Sequence, residues 1–343
     1  MRLRKSAGAV AASAAGSMVV AVLAYAGVSA LTAADAADGD SRLQPDREGL
    51  SLLGPAARVL VREVDEARPR ADGPLYELSA DGEARRAGEL RCKRVYALAN
   101  GPGLCLARSR GPLDYEGIVF DDRYRPQARF QIDGAPDRAR ISPDGRYAAY
   151  TTFDAAGVDG YFESTADFST GTEIVDMRSG RELLDLENVA VEGDGSVFDR
   201  STSEVWGVTF ARGGRYYATL ANEDDGRTSH YLIAGDVRSE EARVIGEGVE
   251  CPSLSPDGER IAYKRRIGRS NHWRLHVRDL DGGNDVALAE TRSIDDQPEW
   301  IGDRLVAYSD DEATFVVPAD GGGEPVRLAE WATSPAVLAS PAP

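Results

Sequence analysis

Apolar and polar residues alternate with a period of two in one short phrase of this chain, residues 254–266 (LSPDGERIAYKRR). An apolar residue leads into a Ser-Pro-Asp-Gly turn, in which proline presets φ and glycine takes the position with positive φ. Ile261 and Tyr263 then alternate with smaller or more polar neighbours, which is typical of a half-buried β-strand. The phrase therefore predicts a β-hairpin whose Ile261 and Tyr263 pack in the interior.

The same phrase recurs along the chain. Its turn position, Gly258, has equivalents at Gly54, Gly101, Gly145, Gly214 and Asp303. The intervals are 47, 44, 69, 44 and 45 residues, and each copy is followed by a second hairpin, most clearly over 273–290. Two hairpins give four strands, and this period is typical of a propeller blade. We expect an all-β fold, a six-bladed β-propeller of four-stranded antiparallel blades over residues 50–330.

The two ends of the chain differ from these repeats. The basic start MRLRK and the uncharged residues 6–34 predict an export signal over 1–34, either a cleaved signal peptide or a retained signal-anchor helix. The polar residues 35–49 are expected to be a linker. The tail 331–343 is expected to add a closing strand to the first blade and then to be disordered. The predicted location is extracytoplasmic, either secreted or tethered to the cell membrane by the N-terminal segment.

The cysteines fit an exported protein, because disulfides persist outside the cytoplasm. Of the three, Cys92 and Cys105 are nearest in sequence and are the predicted bridge, which leaves Cys251 over. In a regular hairpin turned at 100–103, Cys105 would lie opposite Leu98, so the bridge requires the chain at Cys92 to fold back. The alternative is three small buried thiols.

The 69-residue interval contains two insertions, 154–171 and 192–203, both rich in small polar residues but carrying aromatic ones. Long insertions in a regular array usually lie on one face and often contact ligands. Two interpretations remain open: an extended arm that packs its aromatic side chains on a neighbouring blade, or an arm that binds a partner.

The net charge of −17 argues against binding to nucleic acid or to an anionic lipid surface, and favours a basic partner or a cation. No G-x-S-x-G nucleophile motif is present. His272 and His276 lie on a predicted strand, where residues four apart are separated by about 13 Å, so we expect two solvated histidines rather than a metal site. The acidic stretch 279–290 is interpreted as a turn, with a Ca²⁺ loop as the alternative. No cofactor is predicted.

The first strand of each propeller blade lines the central channel, and its first residues differ between repeats. The position four residues before Leu254 and its equivalents is occupied by Asp137, Trp206, Glu250 and Asp296. We predict that these residues form an acidic ring at one end of the channel, where a cation or a basic segment of a partner would bind. The alternative is that they are solvated residues before a strand.

Three segments, ISPDGRYAAY (141–150), LSPDGERIAYK (254–264) and LHVRDLDGGN (275–284), resemble the repeat of the TolB-like (WD-type) β-propeller family. The stretches 206–221, 249–264 and 273–280 are similar to the exported "TolB-like translocation protein" group of GC-rich Gram-positive bacteria. The resemblance implies a six-bladed propeller outside the cytoplasm, and it covers about residues 50–330.

Together these observations predict a monomeric, non-catalytic module at the cell envelope that binds or scaffolds an envelope protein or a small ligand. Membrane contact is expected only through the N-terminal segment. The alternative is a propeller hydrolase or lyase with an acidic site at the mouth of the channel.

Overall fold

The computed structural model describes residues 41–111, 114–155, 168–268 and 272–339. The predicted export signal, residues 35–40 of the predicted linker and residues 156–167 of the first insertion lie outside this part of the chain. Among the described residues, no helix is both long enough and apolar enough to cross a bilayer.

The described chain forms one short α-helix, three single-turn 3₁₀ helices and 27 strands in six sheets, which are the six blades of a β-propeller. The chain enters through β1 (Gln44–Pro45) and α1 (Arg47–Ser51). Blade 1 contains β2 (Arg58–Glu63), β3 (Gly73–Ser79) and β4 (Ala84–Cys92), and blade 2 contains β5 (Arg94–Ala97), β6 (Gly103–Arg108), β7 (Tyr115–Phe120) and β8 (Pro126–Ile132). Blade 3 contains β9 (Ala135–Ile141), β10 (Tyr147–Ala155), β11 (Phe168–Asp176) and β12 (Glu182–Asp185).

The second half of the chain builds the other three blades. Blade 4 contains β13 (Ala190–Gly193), β14 (Ser196–Val197), β15 (Ser203–Phe210), β16 (Arg215–Asp224), β17 (Arg227–Asp236) and β18 (Glu241–Glu247). Blade 5 contains β19 (Glu250–Leu254), β20 (Arg260–Arg266), β21 (Trp273–Asp279) and β22 (Asp285–Ala287). Blade 6 contains β23 (Glu299–Ile301), β24 (Leu305–Ser309), β25 (Ala313–Pro318) and β26 (Val326–Glu330), and the chain ends in β27 (Ala332–Ala339).

Both ends of the chain close the ring. Strand β27 pairs antiparallel with β2 and is the innermost strand of blade 1, while β1 pairs with β26 at the outer edge of blade 6. The propeller therefore extends beyond residues 50 and 330 on both sides. The innermost strands β27, β5, β9, β15, β19 and β23 contact one another in a closed circle and line the central channel.

The recurring phrase forms a hairpin in blades 2 to 6, as predicted, but the copy at Gly54 does not. The only strand before Gly54 in the described chain is β1, which pairs with β26 and not with β2. Instead α1 lies there, capped by Asp46, whose Oδ1 accepts hydrogen bonds from the backbone N–H groups of Glu48 and Gly49. The reason is topological, since the inner strand of blade 1 comes from the other end of the chain.

The phrase at residues 254–266 shows how each hairpin is fixed. Gly258 has φ of +81°, and the hydroxyl of Ser255 accepts a hydrogen bond from the backbone N–H of Arg260 at 2.9 Å. Ile261 and Tyr263 are fully buried and pack against Tyr217 and other apolar residues of blade 4. The predicted interior position of these two side chains is confirmed.

Threonine hydroxyls on the second strand of a blade bind the inner strand of the next blade. Thr151 accepts a hydrogen bond from the N–H of Gly207 at 3.3 Å, and Thr219 accepts one from the N–H of Cys251 at 2.8 Å. Gly207 and Cys251 both have positive φ and lie in β-bulges, as shown by the shifted strand register beside them. A bulge bends a strand and redirects its side chains, here just after the residues at the start of β15 and β19.

The second insertion packs on blade 4. Strands β13 and β14 form a hairpin, and β13 pairs in parallel with β18, so blade 4 has six strands. Phe198 packs on Tyr231 with ring centroids 5.1 Å apart. The packing interpretation is therefore confirmed for residues 192–203. For the first insertion, β10 and β11 pair as far as Ala155 and Phe168, and the rest lies outside the described residues.

The predicted disulfide between Cys92 and Cys105 is present, with the two Cα atoms 5.4 Å apart. Cys92 ends the outer strand of blade 1 and Cys105 lies on β6, so the bridge links two blades. The register expected for Cys105 is wrong, because it pairs with Val95 rather than Leu98. Cys251 is a buried free thiol.

Candidate binding site at the channel mouth

The inner strands begin at the same end of the channel, which is called the mouth below. Asp137 lies on β9, Trp206 on β15 and Glu250 on β19, while Asp296 precedes β23. The side chain of Asp137 is 46% exposed, whereas Trp206, Glu250 and Asp296 are each at most 6% exposed. The topology thus brings the four predicted residues to one end, but among them only Asp137 presents a carboxylate to the water of the lumen.

A second lumen carboxylate is Asp295, one residue before the predicted Asp296. Its side chain is 58% exposed. Arg138 bridges the two acids, with Nη1 bound to Asp137 and Nη2 at 3.3 Å from Asp295 Oδ1, and the ammonium of Lys264 also binds Asp295. Arg138 and Lys264 themselves are almost fully buried. At the mouth, the carboxylates are therefore exposed to water, whereas Arg138 and Lys264, which pair with them, are buried.

The charge of both lumen acids is fixed by these neighbours. Removal from bulk water raises the pKa of Asp295, but Lys264 and Arg138 outweigh this effect and lower the pKa to about 2. Removal from bulk water acts on Asp137 in the same direction, but Arg138, Arg94 and Lys93 together outweigh it, so the pKa of Asp137 is lowered. Both groups are ionised at neutral pH.

Asp296 belongs to a buried layer below the mouth. Its Oδ1 lies 2.7 Å from Arg94 Nη2, and its Oδ2 accepts the backbone N–H of Ser309 at 2.9 Å. Beside it, Arg140 lies 3.4 Å from Glu299 and stacks over the ring of Tyr96. These ion pairs join blades 2, 3 and 6, and their role is structural because their polar atoms are directed at one another.

Glu250 lies in a third cluster, between blades 4 and 5. Its Oε2 accepts a hydrogen bond from Trp273 Nε1 at 3.0 Å. Its Oε1 is 3.7 Å from both His230 Nδ1 and Arg266 Nε and has no hydrogen bond to any described residue. Burial lowers the pKa of His230, so its imidazole is neutral at pH 7. Trp206 packs edge-on against the His230 ring, with centroids 5.7 Å apart.

Sequence reasoning missed Asp295, Arg138 and Lys264. One signal was present: Lys264 shares a strand face with Ala262, which is fully buried, so a charge at this position requires a buried partner. Arg138 gave no comparable signal, because the bulge opposite Thr151 and Thr152 breaks the alternation of β9.

The other expectations about chemistry have mixed outcomes. The prediction that His276 is solvated is wrong, since the side chain is buried and its Nδ1 lies 2.9 Å from Asp285 Oδ1. The acidic stretch 279–290 acts as a turn: Asp281 accepts the N–H of Gly283 at 2.9 Å, and Glu290 binds Arg292 through both oxygens. Within the described ranges, no group of three or more His, Cys, Asp and Glu side chains is arranged to hold a metal ion.

No protein-family model matches the chain, and no curated protein matches its sequence. Solved structures do match its fold. The β-propeller domain of the Trilobed protease from Pyrococcus furiosus is 13% identical, with 82% of this chain and 80% of that chain covered and a TM-score of 0.43. An acylaminoacyl peptidase from Pyrococcus horikoshii is 10% identical, with 80% and 47% covered and a TM-score of 0.44.

The match with the highest TM-score among these is TolB from Acinetobacter baumannii, at 0.54, with 17% identity. It covers 82% of this chain and 66% of the TolB chain, so this chain spans about two thirds of that protein. At this level of identity the likeness concerns the fold, and the chain has the six-bladed propeller architecture of TolB-like proteins.

Proposed function

We propose that this protein is a non-catalytic binding module of the cell envelope, and that the channel mouth binds a basic segment of a partner protein. The observation that supports this proposal is the pair of ionised, lumen-exposed carboxylates of Asp137 and Asp295. Buried Arg138 and Lys264 hold both carboxylates in place before any partner arrives, which reduces the entropic cost of binding.

The overall charge acts in the same direction. A net charge of −17 attracts basic segments over the range of the Debye length, about 8 Å at physiological ionic strength. The disulfide between Cys92 and Cys105, together with the predicted export signal, supports a location outside the cytoplasm.

The ionised state of the carboxylates at the mouth favours the binding proposal over the hydrolase or lyase alternative. A general acid needs a carboxyl pKa raised towards neutrality so that a proton is available. The pKa values of Asp137 and Asp295 are lowered instead, which suits permanent anionic contacts to a lysine or arginine.

The test is a titration of the purified protein into a fluorescein-labelled octapeptide of alternating arginine and glycine, followed by fluorescence anisotropy. The controls are the same peptide with serine or with glutamate in place of arginine. We expect saturable binding of the basic peptide alone. The variant Asp137→Asn/Asp295→Asn should bind it about tenfold more weakly, because it lacks two charge-assisted contacts.

A matched variant separates this site from the general negative charge. Asp122→Asn/Glu324→Gln removes the same two charges from exposed positions elsewhere on the propeller. It should change the affinity less than twofold. Equal losses in the two double variants would show that the peptide is held by net charge alone and would overturn the proposal.

A further inference from the structure

A cleft of about 920 Å³ opens between blades 4 and 5 at the end of the propeller opposite the mouth. It is bounded by the turns that follow the inner and third strands of these blades, at residues 211–215, 236–241, 255–260 and 279–285. Its volume lies near the upper end of the roughly 300–1,000 Å³ typical of ligand pockets. The cleft can therefore accommodate a molecule much larger than an ion.

The residues of blade 4 that line the cleft lie on its second to fourth strands, β16, β17 and β18. Blade 4 is six strands wide, whereas the outer strand of blade 5, β22, has only three residues. Part of the face of blade 4 is left uncovered. Tyr217, Ile245 and Leu280 form the floor, and all three belong to the apolar cluster that joins the two blades.

The two walls carry opposite charges. Blade 4 contributes Arg215 and Arg243, which are exposed and whose guanidinium groups make no hydrogen bond or ion pair to any residue in the described ranges. It also contributes Asp236, whose two carboxylate oxygens are bound by Arg238 at 2.8 Å, so the two free arginines determine the charge of this wall. Blade 5 contributes Glu259 and Asp281, which are also exposed. Arg260 also lines the cleft, but its Nη2 donates to the carbonyl of Asp303 at 2.5 Å and its guanidinium stacks over a tryptophan ring.

We infer that this cleft is a second binding site, and that its ligand is a peptide segment with charge of both signs around an apolar side chain. A carboxylate of the segment pairs with Arg215 and Arg243, where a guanidinium gives strong, bidentate hydrogen bonds. A basic side chain faces Glu259 and Asp281, and the apolar residue covers Tyr217 and its neighbours on the floor. A uniformly acidic or basic segment meets one repulsive wall, so the cleft selects by charge pattern.

The site is independent of the mouth. The mouth presents acidic groups to its ligand, whereas this cleft presents both signs, and the two lie at opposite ends of the propeller. An experiment that refutes binding at the mouth therefore leaves the proposal for the cleft standing, and the reverse also holds.

The test uses fluorescein-labelled hexapeptides with two central leucines. One has two glutamates before and two lysines after the leucines, one has the reverse order, and two controls carry only glutamate or only lysine around the leucines. Anisotropy titrations against the intact protein should show saturable binding of one mixed-charge peptide, at least tenfold tighter than either control.

Variants then place the binding. Arg215→Ala/Arg243→Ala and Glu259→Gln/Asp281→Asn should each weaken it about tenfold. Arg178→Ala/Arg181→Ala, which removes two exposed arginines of blade 3, and Asp137→Asn/Asp295→Asn should leave it unchanged. All these positions are at least partly exposed, and circular dichroism checks that every variant is folded. Absence of saturable binding, or binding that survives Arg215→Ala/Arg243→Ala, would overturn the inference.

Discussion

The bridge between Cys92 and Cys105 allows a stability prediction whose size follows from the structure. The perturbation is Cys92→Ala/Cys105→Ala. Both side chains are fully buried and the residues are 13 apart in sequence. Closing a loop of this length restricts the unfolded chain, which corresponds to about 3 kcal/mol of stabilisation at 25 °C. For a propeller of roughly 300 residues, the entropy of unfolding at about 2.1 cal/mol/K per residue converts this free energy into a fall in Tm of about 5 °C.

Differential scanning calorimetry with and without reductant measures this effect. The wild type should lose about 5 °C when reduced, whereas the double variant should unfold at the lower temperature under both conditions. Alkylation of the denatured, unreduced wild type provides the chemical control, since only Cys251 should react. Three alkylated cysteines, or a wild-type Tm that does not respond to reductant, would refute the reasoning.

Three further predictions concern the buried Glu187, the bulge at Gly207 and the closing strand β27. Burial and the neighbouring Glu204 raise the pKa of Glu187 to about 8. The folded state therefore keeps a proton that the unfolded state loses near pH 4.5, and wild-type stability falls as the pH rises between these values. The Tm difference in favour of Glu187→Gln should grow from pH 5 to pH 8, and a constant difference would contradict this reasoning. Gly207→Ala places a Cβ 2.8 Å from the Cα of Cys251 at φ of +65°, and should cost about 1 to 3 kcal/mol in denaturant unfolding. A chain ending at Glu330 lacks β27, which uncovers Leu60, and should lose its near-ultraviolet circular dichroism and its resistance to proteolysis, whereas a chain ending at Ala339 should keep both.

The fold could be predicted from the sequence because the same local sequence pattern recurs in blades 2 to 6. The Ser-Pro-Asp-Gly turn and the alternating strand after it are determined by nearby residues, such as Ser255 and Gly258, and they recur at a nearly constant interval. The hairpin predicted at Gly54 does not form, because the inner strand of the first blade comes from the far end of the chain. Nothing local to Gly54 indicates that β27 will pair with β2.

The site could be predicted only in part, for a physical reason. Alignment of the repeats identified where the inner strands begin, and this brought attention to Asp137 and Glu250. It could not show which side chains turn into the lumen, because bulges such as those at Gly207 and Cys251 change the direction of the side chains. Asp295, one position from the predicted Asp296, is the group that faces water.

The partners of these acids were hidden for a different reason. Lys264 reaches the mouth from the second strand of blade 5, and His230 approaches Glu250 from the third strand of blade 4. Such contacts depend on how two blades pack together, and the sequence pattern within one repeat does not indicate which side chains of the neighbouring blade will contact it.

The most direct test of the binding account is the location of the basic peptide on the protein. The arginine–glycine octapeptide, carrying a benzophenone in place of the fluorescein, is photo-crosslinked to the wild type, and the modified residues are identified by mass spectrometry. The account predicts crosslinks at the mouth, within residues 135–141 and 288–298, and their loss in Asp137→Asn/Asp295→Asn. Crosslinks concentrated instead on exposed acidic surface such as 222–225, and unchanged in that variant, would contradict it.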